Sequence, residues 1–334
     1  MRTSGMEESL DSITGCWIVA AAASASAASD DLWLGSVVVS CLQVSGWDDP
    51  RLLTLDGLRR RGYTPSSVNA FCEQIGVTRS GTVTIQMPLL ENCIRMELDV
   101  SAPRRFAVLR PLKVDIQGLK EDITCKVPNH PKDPSMGERT LVLGKQIYIE
   151  RDDFREKDDN SFYGLAPGKD VGLLGTLNLL TCTEVKKDAK GNIVSLVCQL
   201  KERGETKVKG NLHWLNVKDA VAAECRIYSN LFTVENPNAP PAASKGAEPA
   251  AAPAPADGGD DEEEEEEVTS GGMLDYFNKD SLVVESGAFV EPCLKAEAGK
   301  HGASFQFQRV GFFCVDLDSS AKKLVFNRTV ALKS

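Results

Sequence analysis

Histidine is scarce in this 334-residue chain: only His130, His213 and His301 are present, and no two lie near each other in sequence. That scarcity removes the histidine-based zinc motif HEXXH, and Walker-type, GxSxG and GxGxxG patterns are missing as well. Ten cysteines are scattered singly with none at CxxC spacing, which gives no zinc site clustered in sequence and leaves reduced, buried thiols of a cytosolic protein as the plain reading. No apolar run approaches the ~20 residues that cross a bilayer, and the Ala/Ser-rich stretch 16–29 is too short and too weak. A signal peptide wants a basic start and a transit peptide is poor in acids, so Glu7, Glu8, Asp11, Asp30 and Asp31 argue against both. Asp48 and Asp49 are adjacent, but neighbouring side chains at a helix entry point apart, which suits capping better than a paired acid/base site. The residues alone do not support catalysis.

Positive charge is also short overall, at a net −10, yet the deficit is local. Ten acids against the single Lys245 give residues 239–272 a charge of −9, so the remainder of the chain carries −1 and is free to present basic surfaces. The Pro/Ala/acidic composition of 238–272 cannot bury enough apolar area to offset its ordering entropy and is expected to be a disordered loop; a docking element for a basic partner is the functional alternative. Residues 1–45 read as irregular or mis-joined sequence, with one candidate buried strand at 37–42 and a targeting segment as the alternative.

What is present begins at 46–76. Thr54 caps a helix that runs through Leu55, Leu58 and Arg59-Arg60-Arg61 to Gly62; Thr64 caps a second with Pro65 at its first position, an apolar face of Val68, Phe71, Cys72 and Ile75, and a stop at Gly76. A third helix is expected over 87–98. Beyond Arg105 the texture turns to short β segments at 106–109, 113–116, 123–127, 146–150, 194–200 and 207–215, then at 225–232, 282–284, 305–316 and 323–332. Many short strands without intervening helices predict a mainly β chain built as two sandwiches or barrels.

Two clusters suit nucleic acid. Arg51 and Arg59 to Arg61 fall close together, and Arg104, Arg105 and Arg110 follow where the β region opens; such groups track phosphates, although a solvated helix face explains the charge as well. In Phe305-Gln306-Phe307-Gln308-Arg309, strand alternation sends the phenylalanines to one face and the glutamines to the other. A glutamine amide suits the edge of an unstacked base, and an ordinary strand with an inward apolar face is the competing reading.

Beyond these patterns, the chain resembles glutaminyl-tRNA synthetases over about 46–333. The resemblance rests on Trp47-Asp48-Asp49-Pro50-Arg51, Leu58 to Pro65 (LRRRGYTP), Phe71-Cys72, Val127 to Pro131, Asp153-Phe154-Arg155, Lys207 to Gly210, His213-Trp214, Asn236-Pro237, Phe305 to Arg309 and Phe326 to Val330, all in family order. It implies two β-barrels of the anticodon-binding type after a short helical subdomain at 46–98. The proximal barrel would be discontinuous, 99–119 and 222–333, around a distal barrel at 120–221, with the acidic loop as an expansion. Family contacts to the central anticodon uridine correspond to Arg104, Gln306 and Arg309; Lys132 matches a loop position near the anticodon stem. Arg59, Arg60 and Arg61 would lie on the tRNA backbone.

The departures also matter. Where bacterial members place basic residues for the outer anticodon bases, this chain has Tyr163-Gly164, Gly172 and Leu174, with Lys169 as a possible electrostatic substitute. HIGH needs two histidines three apart and KMSKS needs lysines shortly before Gly46, and neither is present. The resemblance therefore implies the C-terminal tRNA-binding portion of a cytoplasmic, monomeric glutamine-tRNA ligase whose partner is a glutamine tRNA. On that expectation there is no catalytic residue, metal or cofactor in these residues, and ATP with Mg belongs to an absent catalytic domain. A stand-alone tRNA-binding or interaction module is the alternative.

Overall fold

A computed structural model of the chain describes residues 44–76, 85–159, 161–204, 208–234 and 276–333. The expectations for 1–43 and for the acidic loop 238–272 lie outside these residues.

Three helices come first. In α1 (Leu55–Arg61), Thr54 Oγ1 accepts from Gly57 N at 3.0 Å, and Gly62 ends the helix in the left-handed region at φ 99°. In α2 (Pro65–Ile75), Thr64 accepts from Ser67 N. The same hydroxyl donates to Glu97 of α3 (Met87–Ser101) at 2.7 Å, fastening the two helices together. Leu58, Tyr63, Leu90, Ile94 and Leu98 pack with Phe312 and Val330 of the β region, so the helical corner has no separate core.

The first sheet runs β1 (Arg104–Arg105), β14 (Ser304–Phe307), β15 (Gly311–Val315), β16 (Leu324–Ala331), β12 (Val221–Tyr228), β13 (Leu282–Val290), β2 (Ala107–Val108). The second runs β10 (Asn211–Leu212), β7 (Asp170–Leu173), β8 (Asn178–Lys187), β9 (Ile193–Glu202), β3 (Pro111–Gln117), β6 (Gln146–Glu150), β11 (Leu215–Asn216). A hairpin of β4 (Ile123–Pro128) and β5 (Glu138–Leu143) stands apart from both. The edge strands of each sheet are nearly consecutive in the chain: Phe106 separates β1 from β2, and His213-Trp214 separates β10 from β11. Each sheet therefore curls back on itself, a geometry that limits exposed edges. The result is a mainly β fold with one nearly closed barrel and one half-barrel after a short helical part.

Local reading of the sequence located most strands but not all of their breaks. In place of one long strand over 207–215, the described residues 208–216 hold two two-residue strands, Asn211–Leu212 and Leu215–Asn216, and 305–316 is split by a turn at residues 308–310. Strand β3 pairs with β6 and β9 and thus belongs to the second sheet, so the chain changes sheets just after Val108. Glu150 pins that crossover, its carboxylate accepting from Leu109 N and Arg110 N.

The two sheets meet through the residues that close them. Phe106 packs edge-on against Trp214 at 6.2 Å and Tyr148 stacks on Phe289 at 4.6 Å, while Arg139 of the separate hairpin pairs with the buried Glu291 at 2.8 Å. Because Phe106 N also donates to Glu291, backbone, aromatic and ionic contacts converge at one seam.

Candidate nucleic-acid interface

Arg104 and Gln306 are far apart in sequence but occupy the same register on β1 and β14, which pair in parallel. Equal register on neighbouring parallel strands sends both side chains to one face. The pairing is held by Gln306 N donating to Pro103 O and Gln308 N donating to Arg105 O, each at 3.0 Å. Gln306 is half-buried, and its Oε1 is enclosed without a hydrogen-bond partner. Such an acceptor is costly to leave unmade, and amide groups of this kind are uncommon in a folded core.

Arg104 is buried, donating to Asp99 Oδ1 at 2.8 Å, to Asp99 O at 3.0 Å and to Ala102 O at 3.1 Å. Burial pushes its pKa down against the opposing pull of Asp99. The other Asp99 oxygen accepts from Lys132 Nζ at 3.1 Å, so Asp99 bridges two of the expected contact residues. The hydrogen bond from Lys132, with help from the charge of Arg104, holds the Asp99 carboxyl below the usual carboxylate range. His130 supports the bridge: Lys132 N donates to its Nδ1, which leaves Nε2 to donate to Asp99 O at 2.9 Å.

Arg309 follows Gln306 in the turn between β14 and β15 and has a left-handed backbone at φ 67°. Both terminal nitrogens of its guanidinium donate to Asp153 of the second sheet, at 2.6 and 2.7 Å. The structure thus brings Arg104, Gln306 and Lys132 into one linked group, with Arg309 at its end.

The arginine triplet divides. Arg59 is exposed, whereas Arg60 is bonded to Asp48 at 2.9 Å and to Asp316 at 3.1 Å, and its main-chain oxygen accepts from Asn327. Arg61 is buried near Glu91, with its guanidinium 5.8 Å from the centre of the Tyr228 ring. Of the three, only Arg59 has a free path to a phosphate; the others hold α1 on the first sheet. Arg105 is likewise engaged, by Arg104 O and Asn129 Oδ1, and Arg110 pairs with Asp152.

Sequence reading missed Asp99 and Asp153 as partners of these cations. Asp99 carries no local signal, because what singles it out is the two cations that the fold delivers to it. Asp153 lies in a motif of the resemblance, but its partner is 156 positions away.

Among the described residues no group of three or more His, Cys, Asp or Glu is arranged to hold a metal ion, and no helix is long and apolar enough to cross a membrane.

Comparison with protein families matches residues 102–201 and again 211–316 to the anti-codon binding domain of class I (E and Q) tRNA synthetases, and 35–100 to the catalytic domain of the same class. The chain belongs to the class I tRNA synthetases of the E and Q type. The two anticodon-domain matches cover every strand of both sheets except β16, and the helical corner falls in the catalytic-domain match. Glutamine–tRNA ligase of Photobacterium profundum is 42% identical over 300 residues, 87% of this chain and 48% of that protein. The ligase of Vibrio campbellii is 41% identical with the same coverage, and that of Escherichia coli O157:H7 is 40% identical over 310 residues, 89% of this chain and 49% of the relative. The chain spans about half the length of the curated relatives it matches.

Proposed function

We propose that these residues are the tRNA-binding portion of a glutamine–tRNA ligase and that they engage the anticodon of a glutamine tRNA. The observation that carries the reading is the shared register of Arg104 and Gln306. An unstacked uracil offers two carbonyl acceptors and one N3–H donor; arginine supplies donors, and the half-buried amide of Gln306 carries both a donor and an acceptor. Arg309 adds a further cation at the end of the strand, and Lys132 borders the group beside Asp99.

In this reading Arg59 meets the tRNA backbone while Arg60 and Arg61 hold the corner that presents it. Activation of glutamine by ATP with Mg, and its transfer to tRNA, are assigned to the catalytic domain of such a ligase, and no resident cofactor to residues 46–333. The setting is cytoplasmic and the working unit a single chain.

The electrostatic part is tested by titrating the chain with glutamine tRNA at several salt concentrations. For Z neutralised phosphates, log K is expected to fall against log salt with a slope of about −0.7Z to −0.9Z. A slope near zero removes tRNA backbone binding from the reading.

A further inference from the structure

Arg309 is the one described non-glycine residue with positive φ, and its side chain leaves its own sheet to reach the other. L-residues are held in the left-handed region only where the surroundings over-determine them. Here the determinant is visible. Val310 N donates to Phe307 O at 3.0 Å and closes the turn, and the Asp153 carboxylate then receives both terminal nitrogens of Arg309.

We propose that Asp153 is the positioning residue for Arg309, so that the base contact made from the first sheet depends on a carboxylate supplied by the second. The inference rests on the reading above, in which Arg309 meets an anticodon base.

Three observations support it. The Asp153 side chain is only 13% exposed, and a carboxylate so enclosed needs a cation; Arg309 is the cation bonded to it. Asp153 is itself fixed: it closes a 3-10 turn after β6, and its main-chain oxygen accepts from Leu165 N at 2.7 Å. A Cβ on Gly164 would lie 2.4 Å from that oxygen, so only glycine lets the following loop close on Asp153. The fork is also end-on. It occupies one N–H on each terminal nitrogen and leaves Nε–H with a neighbouring terminal N–H unengaged by any described residue, donors that a base carbonyl can accept.

A purely structural tie between the sheets is the competing role, and the other ties make the two separable: Phe106–Trp214 and Tyr148–Phe289 remain when Asp153 is changed. The experiment uses the full chain with Asp153→Asn, and the swap Asp153→Arg with Arg309→Asp, which restores an ion pair across the seam but carries the guanidinium on the wrong sheet. For each, the urea midpoint is measured together with Kd for a glutamine tRNA transcript and for the same transcript with its middle anticodon base changed. The expected result is that Asp153→Asn lowers the ratio of Kd for the changed transcript to Kd for the matched one by about tenfold, through weaker binding of the matched transcript. The swap is expected to bring the urea midpoint back toward the parent value and leave the ratio low. A ratio equal to that of the parent in Asp153→Asn, or restored in the swap, overturns the positioning role. A parent chain with no ratio at all overturns the assignment of Arg309 instead, and this inference with it.

Discussion

Arg104 and Gln306 sit side by side at one register of a parallel strand pair, joined through the backbone by Gln306 N to Pro103 O. One is a buried donor fixed by Asp99, and the other an amide whose oxygen has no partner. That asymmetry predicts different costs. Gln306→Ala should weaken binding of a glutamine tRNA by about 1 to 3 kcal/mol with little change in unfolding. Arg104→Ala should do the same and also lower the urea midpoint, because Asp99 loses a partner. Equilibrium binding and urea unfolding on both variants check this.

Gly62 turns the chain between α1 and α2 at φ 99°, and a Cβ there would fall 2.5 Å from Thr329 Oγ1 and 2.7 Å from Cys314 Sγ. Gly62→Ala should therefore cost more than about 1 kcal/mol, since strain and overlap act together. The urea midpoint reads the loss.

Asp316, on the first sheet, receives Arg60 from the helical corner and Arg226 from β12, and its side chain is fully buried. Burial alone would raise its pKa, but the Arg60 hydrogen bond and the bonds from Asp318 N and Asn327 outweigh it and hold the carboxyl below the usual range. Removing one member of such a group leaves buried charge without a partner. Asp316→Ala is expected to lose about 3 to 5 kcal/mol, and Asp316→Asn less, as measured by chemical unfolding.

Glu150 gives the pH prediction. Burial raises its pKa from 4.5 to about 7 against the two backbone N–H groups and Arg110 that favour the anion. The folded state therefore binds a proton that the unfolded state has already lost between those values. The stabilisation is fully present below about pH 4.5 and is lost as pH rises through about 7, up to roughly 3 kcal/mol for this group. Glu150→Gln should flatten the slope in that window. Asp49, whose pKa is lowered to about 2 by its bonds with Arg51 and Ser45 despite burial, acts in the opposite sense: its contribution is present above about 3.8 and lost as pH falls through about 2. Unfolding midpoints from about pH 2 to 8 separate the two.

The helical corner was legible because its signals are local. Thr54, Gly62, Thr64, Pro65 and Gly76 each mark a boundary by their own chemistry, and the caps are formed by those residues. The strands of two residues were not legible, since Asn211–Leu212 and Leu215–Asn216 exist only through partners elsewhere in the chain. The break at 308–310 was hidden for a related reason: an arginine occupies the left-handed position where a glycine would have announced the turn. In the site, alternation correctly set Phe305 and Phe307 in the core and Gln306 apart from them. The fate of Arg60 and Arg61 could not be read from the triplet, because Asp316 and Tyr228 reach them from distant strands.

The central claim is that these residues read an anticodon base through Arg104, Gln306 and Arg309. The most direct measurement is Kd of the unaltered chain for a glutamine tRNA transcript and for transcripts in which only the middle anticodon base is changed, at one fixed salt concentration. The account predicts weaker binding of every changed transcript by about 1 to 3 kcal/mol, and a smaller difference among them once Gln306 is replaced by alanine. Equal affinity of the unaltered chain for all the transcripts would contradict it.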